Sequence, residues 1–473
     1  MNKFIKMFFI IAIITTDISI LTAQPITWQK IFGGPQSESS RFGIQTSDGD
    51  YVILYLKIGG NGGTYLLDLD PYGNEKWNKK IDSIGTGNYI QQTNDGGFIM
   101  CGGSNGKGII VKTDRSGNLI WNNSYYVNNQ NTQFAKIKII DSGNLLICGN
   151  VAISPIKALV MKLDSLGNVI WQTILNYVED AAVEDIITIN DGYLYLTGDV
   201  RRNNIGMTLF AKINSQGKFL WFNSIGTQGQ GDSQAGISIA SGSNSELLIT
   251  GPYHFSFSTQ AHFTKFDSSG NVIFQKVIPQ AAFSNSMYKT STDNYAIAGG
   301  GYSGDILFIL LNNSGRILSQ KFFLPHEGEN QGSSSIVETS DKGFFISGYT
   351  SFEALNFAGT SNLYLIKTDS NGNSPVSIKN INSETLFSFK LYQNYPNPFN
   401  PNTSIKFDLS HSGNVVLEIY DNNGKKIYTI LNERKAKGTY ELDFNGSNLS
   451  SGIYFYKLTF HNYSSIKTML LLK

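Results

Sequence analysis

Charge is scarce in this sequence. Only 15% of its 473 residues are Asp, Glu, Lys or Arg, and the net charge is +1. That balance offers no electrostatic grip on nucleic acid or on an anionic lipid surface. Cysteine is nearly absent. Cys101 and Cys148 are too few for a disulfide framework and have no metal-ligand spacing. Histidine is equally thin: His254, His262, His326, His411 and His461 are scattered, and no metalloprotease helix motif surrounds them. Past the N-terminus no apolar run approaches the ~20 residues a membrane helix needs. Gly226, Gly229 and Gly231 mimic a nucleotide loop but lack the strand–helix context it requires. Glycine is what the chain has in quantity, at 48 residues, with 41% hydrophobic residues beside it. Low charge with abundant Gly, Asn and Ser predicts an all-β protein with many turns and a substantial core.

The N-terminus reads as a secretion signal over residues 1–23. Lys3 and Lys6 give a positive start, Phe8 to Ile14 is a short apolar run, and Thr22 and Ala23 supply small residues before a cut. Asp17 interrupts the segment, which is too short for a membrane anchor.

Two motifs alternate through residues 24–376. The first reads LDLDPYGNEKW (67–77), VKTDRSGNLIW (111–121), MKLDSLGNVIW (161–171), AKINSQGKFLW (211–221) and TKFDSSGNVIF (264–274), with weaker copies at 310–319 and 366–376. The second reads SDGDYVILY (47–55), NDGGFIMCGG (94–103), DSGNLLICGN (141–150) and NDGYLYLTGD (190–199), and continues at 243–252, 292–301 and 341–349. Each occurs seven times. A period of roughly 50 residues suits a four-stranded propeller blade. Asn and Gly tolerate positive φ, so the motifs mark turns between strands. All five tryptophans, Trp28, Trp77, Trp121, Trp171 and Trp221, fall in one slot on the fourth strand and are expected to be buried packing residues. Trp28 opens the domain on a fourth-strand sequence with no preceding strands, and the last unit lacks its own. The N-terminal strand is therefore expected to complete the last blade and close the ring. The pattern, with LYLIKTDSNGN at 363–373, resembles a family of secreted bacterial propeller repeats. That resemblance implies architecture, not activity.

Residues 377–388 read as a polar linker, and residues 389–473 as a small antiparallel β-sandwich. Pro396, Pro398 and Pro401 interrupt its start, and Asn422-Asn423-Gly424 marks a hairpin. YPNPFNP (395–401), IYDNNGKKI (419–427), LSSGIYFYKL (449–458) and the terminal TMLLLK (468–473) occur in order. This segment resembles the type A C-terminal sorting domain of type IX secretion. The resemblance implies passage through the periplasm, contact with the type IX machinery, and a secreted or outer-membrane cell-surface destination. The fold expected is thus a seven-bladed β-propeller followed by a small antiparallel β-sandwich.

Catalytic chemistry is not legible. The Asp-x-x-Gly-Asn segments read as self-supporting turns rather than calcium loops, since only unit one has paired carboxylates, Asp68 and Asp70, and no bidentate Glu follows. They are similar to the tryptophan-docking motif of quinoprotein propellers, but the step from Asp164 to Trp171 is one residue shorter and the Thr-Gly pair is missing. No cofactor or metal is implied. Glu179, Asp180, Glu184 and Asp185 read as a solvated acidic loop. Arg201, Arg202, Tyr253, His254, Phe255 and Phe257 share one face in adjacent units and are the candidate ligand contacts, with Phe352 and Phe357 in the seventh unit. The favoured function is an exported, non-catalytic propeller that binds a glycan or a protein. The alternatives are a structural or adhesion component without a discrete ligand, and a polysaccharide-active enzyme.

Overall fold

A computed structural model describes residues 25–33, 36–175, 180–202, 205–226, 233–255, 258–302, 304–324, 330–351, 361–374, 378–380, 390–409, 413–435, 438–460 and 463–473. The signal segment, residues 1–23, lies outside them. The chain divides into two compact units, residues 1–381 and 382–473.

The first unit contains seven β-sheets: five are built from four consecutive antiparallel strands, blade 5 has its inner strand in two pieces, and blade 7 takes its outer strand from the start of the chain. Blade 1 runs Ser37–Gln45, Tyr51–Ile58, Gly63–Leu69 and Glu75–Lys80, and blade 3 runs Thr132–Ile139, Leu145–Val151, Lys157–Leu163 and Val169–Ile174. Both repeat motifs fall where turn chemistry demands. At Asp114, one carboxylate oxygen accepts the N–H groups of Ser116 (2.9 Å) and Asn118 (2.8 Å), while the other accepts Asn118 Nδ2 (2.8 Å). Gly117 completes the turn at φ +77°. The same bonds recur at Asp70, Asp164, Asp267 and Asp369. Hydrogen bonds from Asn118 hold the Asp114 carboxyl below the usual range.

Closure follows the expectation. The strand Trp28–Phe32 pairs antiparallel with Ser361–Thr368, Trp28 opposite Lys367, as the outer strand of blade 7. Blade 7 also meets blade 1 directly: Ser40 Oγ donates to Ser347 Oγ (2.8 Å) and Gly43 N donates to Ser335 Oγ (2.8 Å). One boundary needs correction. Ile378–Asn380, read as linker, forms a short parallel strand beside Trp28–Phe32, with Gln29 opposite Ile378. The outer edge of that strand offers unpaired backbone groups, and this segment meets them.

The tryptophans also differ from expectation. Trp28 is buried, but Trp77, Trp121, Trp171 and Trp221 are only half-buried. They stand on outer strands, so part of each ring faces solvent. Several dock on the turn glycine of the next blade: a Cβ at Gly73 would lie 2.9 Å from the Trp28 ring, and one at Gly217 2.6 Å from the Trp171 ring. Indole N–H groups reach the same turns, Trp28 to Pro71 O and Trp171 to Ser215 O, both at 3.0 Å.

The second unit has two sheets, one of Lys390–Leu391, Asn402–Leu409 and Gly438–Asn445, the other of Gly413–Tyr420, Lys426–Lys435, Gly452–Phe460 and Tyr463–Leu471. Ile405 and Phe407 from one and Leu417, Tyr456 and Met469 from the other share a core. The proline-rich motif has a structural task. Phe399 N donates to Leu470 O (2.9 Å), Leu472 N donates to Phe399 O (3.0 Å), and Asn397 Oδ1 accepts Leu470 N (2.8 Å). YPNPFNP thereby covers the edge of the last strand, which would otherwise present free backbone groups.

Candidate functional site

The inner strands of the seven blades surround a central channel, and a defect repeated in those strands shapes it. Six inner strands carry a β-bulge at the same position, shown by register shifts around Arg41, Asn88, Ala135, Glu184, Asn285 and Ser334. In blade 5 the inner strand is instead interrupted between Gln234 and Ser238. A bulge leaves one residue without a ladder partner and re-aims its side chain. Here those six residues, with Ile237 of blade 5, line a cavity of about 390 Å³.

The second motif explains why the bulges persist. Its small-residue–Gly step sits opposite them. A Cβ at Gly149 would lie 2.1 Å from Gln133 O, and one at Gly299 2.0 Å from Phe283 O. Only glycine allows that approach. The preceding slot holds Cys101, Cys148, Thr197, Thr250, Ala298 and Ser347, all fully buried. Burial pushes both thiols up, so they are unreactive packing groups.

Residues after the bulges form a continuous belt around the channel. Phe42 packs on Tyr89 with centroids 4.2 Å apart, and Lys136 Nζ lies 5.1 Å above the Tyr89 ring. Lys136 Nζ pairs with Asp185 at 2.6 Å. Asp185 Oδ2 accepts Ile239 N (3.1 Å), Ser238 Oγ accepts Met287 N (3.2 Å), and Ser286 Oγ accepts Ile336 N (3.3 Å). Ser335 then accepts Gly43 N, next to Phe42. Three bulge side chains add a second tier, each reaching the next blade's backbone: Asn88 Nδ2 to Phe134 O, Asn285 Nδ2 to Ser333 O and Ser334 Oγ to Ser40 O, all at 2.7 Å.

Arg41 and Glu184 are different. Each lines the cavity, and neither is spent on the belt. Arg41 Nε is buried without a hydrogen-bond partner. Burial lowers the pKa of its guanidinium and raises that of the Glu184 carboxyl. Asp199 and Asp185 push Glu184 further up, and Lys136 opposes them. The acidic loop expected from the sequence is thus corrected in part. Glu184 and Asp185 belong to the inner strand Ala181–Thr188, and Asp185 is 1% exposed. Asp180 precedes that strand, and Glu179 lies outside the described residues.

The candidate ligand contacts of blades 4 and 5 occupy hairpin ends rather than irregular loops. Arg201 pairs with Gly206 and Arg202 with Ile205, while Tyr253 pairs with Gln260, His254 with Thr259 and Phe255 with Ser258. Gly206 approaches Ser233, which stands opposite His254, so the two hairpins adjoin. Arg201 is exposed, with Nη1 3.9 Å from Asp180, and exposed His254 shares a 2.8 Å hydrogen bond with Thr259. The side chains of Arg202 and Phe255, and all of Phe257, Phe352 and Phe357, lie outside the described residues. His262 is a satisfied core residue, bonded to Ala235 O and Thr264, with its pKa lowered by burial to about 4.

No group of three His, Cys, Asp or Glu side chains among the described residues could hold a metal ion. The unit-one carboxylates are taken otherwise. Asp68, 1% exposed, meets Arg115 of blade 2 at 2.9 Å, and Asp50 meets the same guanidinium at 2.6 Å. No helix among the described residues is long and apolar enough to cross a membrane.

Solved structures similar to the chain are distant. One is a protein of unknown function from Bacteroides caccae (14% identity, TM-score 0.39, covering 58% of this chain and 89% of that one). Another is the Pan2 WD40 domain of Neurospora crassa (12% identity, TM-score 0.45, 70% and 89% covered). A third is an ulvan lyase, a polysaccharide lyase (10% identity, TM-score 0.49, 73% and 96% covered). No curated protein matches the chain. The sheets show an all-β, propeller-type protein, and residues 393–472 match the family described as the secretion system C-terminal sorting domain, an export signal carried at the C-terminal end.

Proposed function

We propose that the propeller is a non-catalytic binding module, delivered by type IX secretion to the cell surface or the medium, and that its ligand enters the central channel. The observation that carries this reading is the cavity of about 390 Å³ ringed by bulge residues, with Arg41 and Glu184 left over from the belt. Its size falls within the roughly 300–1,000 Å³ of small-molecule pockets. The adjoining hairpins at Arg201 and His254 are a second place where the same ligand or a protein could touch. Attachment through residues 389–473 and contact with the secretion machinery there belong to the same proposal.

A structural role is the second reading, favoured by one observation. Outer strands of blades 2, 3 and 5 expose aliphatic pairs, Leu119 and Ile120, Val169 and Ile170, and Val272 and Ile273. Such a rim suits contact between rings.

The test is a panel of immobilised polysaccharides and peptidoglycan, scored for retention of the protein and for release of soluble sugar. Retention without release is the expected result. Release would contradict the non-catalytic reading. Absence of retention, with concentration-dependent self-association in sedimentation, would favour the structural role instead.

A further inference from the structure

The side chain of Arg41 shows no hydrogen bond or ion pair with any described residue, although it is half-buried and lines the channel cavity. The other cation lining the cavity is matched: Lys136 is neutralised by Asp185 at 2.6 Å. Glu184, three blades away, is influenced by Asp199, Lys136 and Asp185, and Arg41 is not among its influences. Half-burying a guanidinium costs free energy unless an anion compensates it. Evolved sites tolerate such a cost where function needs the group.

The rest of the ring has the opposite character. Asn88 and Asn285 each donate their Nδ2 to a neighbouring backbone carbonyl, which leaves Oδ1 as the acceptor available to the cavity. Glu184 adds a carboxyl that both accepts and, when protonated, donates. Gln133 and Asn150 line the same wall. One fixed cation beside several acceptors fits a ligand with an anionic group at one end and hydroxyls on the remainder.

We propose that the channel binds a small hydroxylated carboxylate of the sugar-acid class, with Arg41 as the group that holds the carboxylate and the Asn88, Asn285 and Glu184 side chains as hydroxyl acceptors. This rests on the binding reading above and deepens it. A bidentate guanidinium–carboxylate pair supplies both strength and orientation.

The experiment is calorimetric titration of the full chain with glucuronate, glucose and sodium sulfate at constant ionic strength, for wild type and Arg41→Gln. Glucuronate should bind at least about tenfold more tightly than glucose, and the substitution should remove that advantage. Sulfate should compete with glucuronate in the wild type but bind more weakly, because it lacks the hydroxyl contacts. Melting provides the folding control: unliganded R41Q should melt no lower than wild type, and glucuronate should raise the melting temperature of the wild type alone. Equal affinity for glucose and glucuronate, or unchanged affinity in R41Q, would overturn the anion site while leaving a channel for neutral ligands. Sulfate binding as tightly as glucuronate would overturn the sugar-acid class. Absence of binding by all three would overturn the anion site, and the polysaccharide panel then decides the binding reading separately.

Discussion

Deleting residues 25–33 is expected to abolish the folded propeller. The strand Trp28–Phe32 supplies the outer strand of blade 7, far from that blade in sequence. Within it Trp28 is 7% exposed, Ile31 5% and Phe32 2%. Fully burying a large apolar side chain contributes ~1.5–3 kcal/mol, so these three together contribute on the order of 5–9 kcal/mol. That is comparable to the ~5–15 kcal/mol by which a whole domain is stable. The deletion would also bare the edge of Ser361–Thr368 and its apolar partners, inviting aggregation. Near-ultraviolet circular dichroism and gel filtration of the deletion variant should show lost tertiary signal and soluble aggregate. A synthetic peptide of residues 25–33 should restore part of the signal. A cooperative melt at the full-length temperature would contradict closure by this strand.

Asp185→Ala should cost ~3–5 kcal/mol, the range for removing one partner of a buried charge pair. Asp185 accepts from Lys136 Nζ (2.6 Å), Ser238 Oγ (3.2 Å), Ile239 N (3.1 Å) and Ile186 N (2.8 Å). Alanine leaves Lys136, whose side chain is 13% exposed, without its counter-charge in the channel wall. It also orphans the Ile239 amide that links blade 4 to blade 5. Asp185→Asn should cost less, because it keeps an acceptor for that amide. Replacing the pair together, Lys136→Met with Asp185→Leu, should recover much of the loss, since neither charge is then left alone. Urea unfolding of the three variants reads the series. A loss under about 1 kcal/mol for Asp185→Ala would mean that the belt does not hold the ring.

Much of the fold was legible because its turns repeat. Asp-x-x-Gly-Asn needs its glycine at positive φ, and that requirement survives changes elsewhere in the blade. Trp28 betrayed the closing strand because a fourth-strand sequence without three predecessors must find them elsewhere. The channel was not legible. Arg41, Asn88, Ala135, Glu184, Ile237, Asn285 and Ser334 are of six different residue types, since a bulge selects backbone geometry rather than side chain. The signal lay in the partner strand. The glycines at 102, 149, 198, 251, 299 and 348 mark a backbone approach that only an irregular inner strand would make. The half-buried tryptophans were over-read because their shared slot on the fourth strand showed where they stand but not how much of that outer strand the next blade covers. Ile378–Asn380 was read as linker because three residues carry too little pattern to mark a strand.

The most direct test of the account is retention of the full chain on whichever polymer the panel identifies, compared with an Ala135→Trp variant. Ala135 faces the channel from blade 3 and takes no part in the belt, so a tryptophan there fills the cavity while leaving the ring's hydrogen bonds in place. The account predicts that A135W melts close to wild type and is no longer retained. Equal retention of the two proteins would contradict it, and would move the ligand from the channel to the outer surface of the propeller.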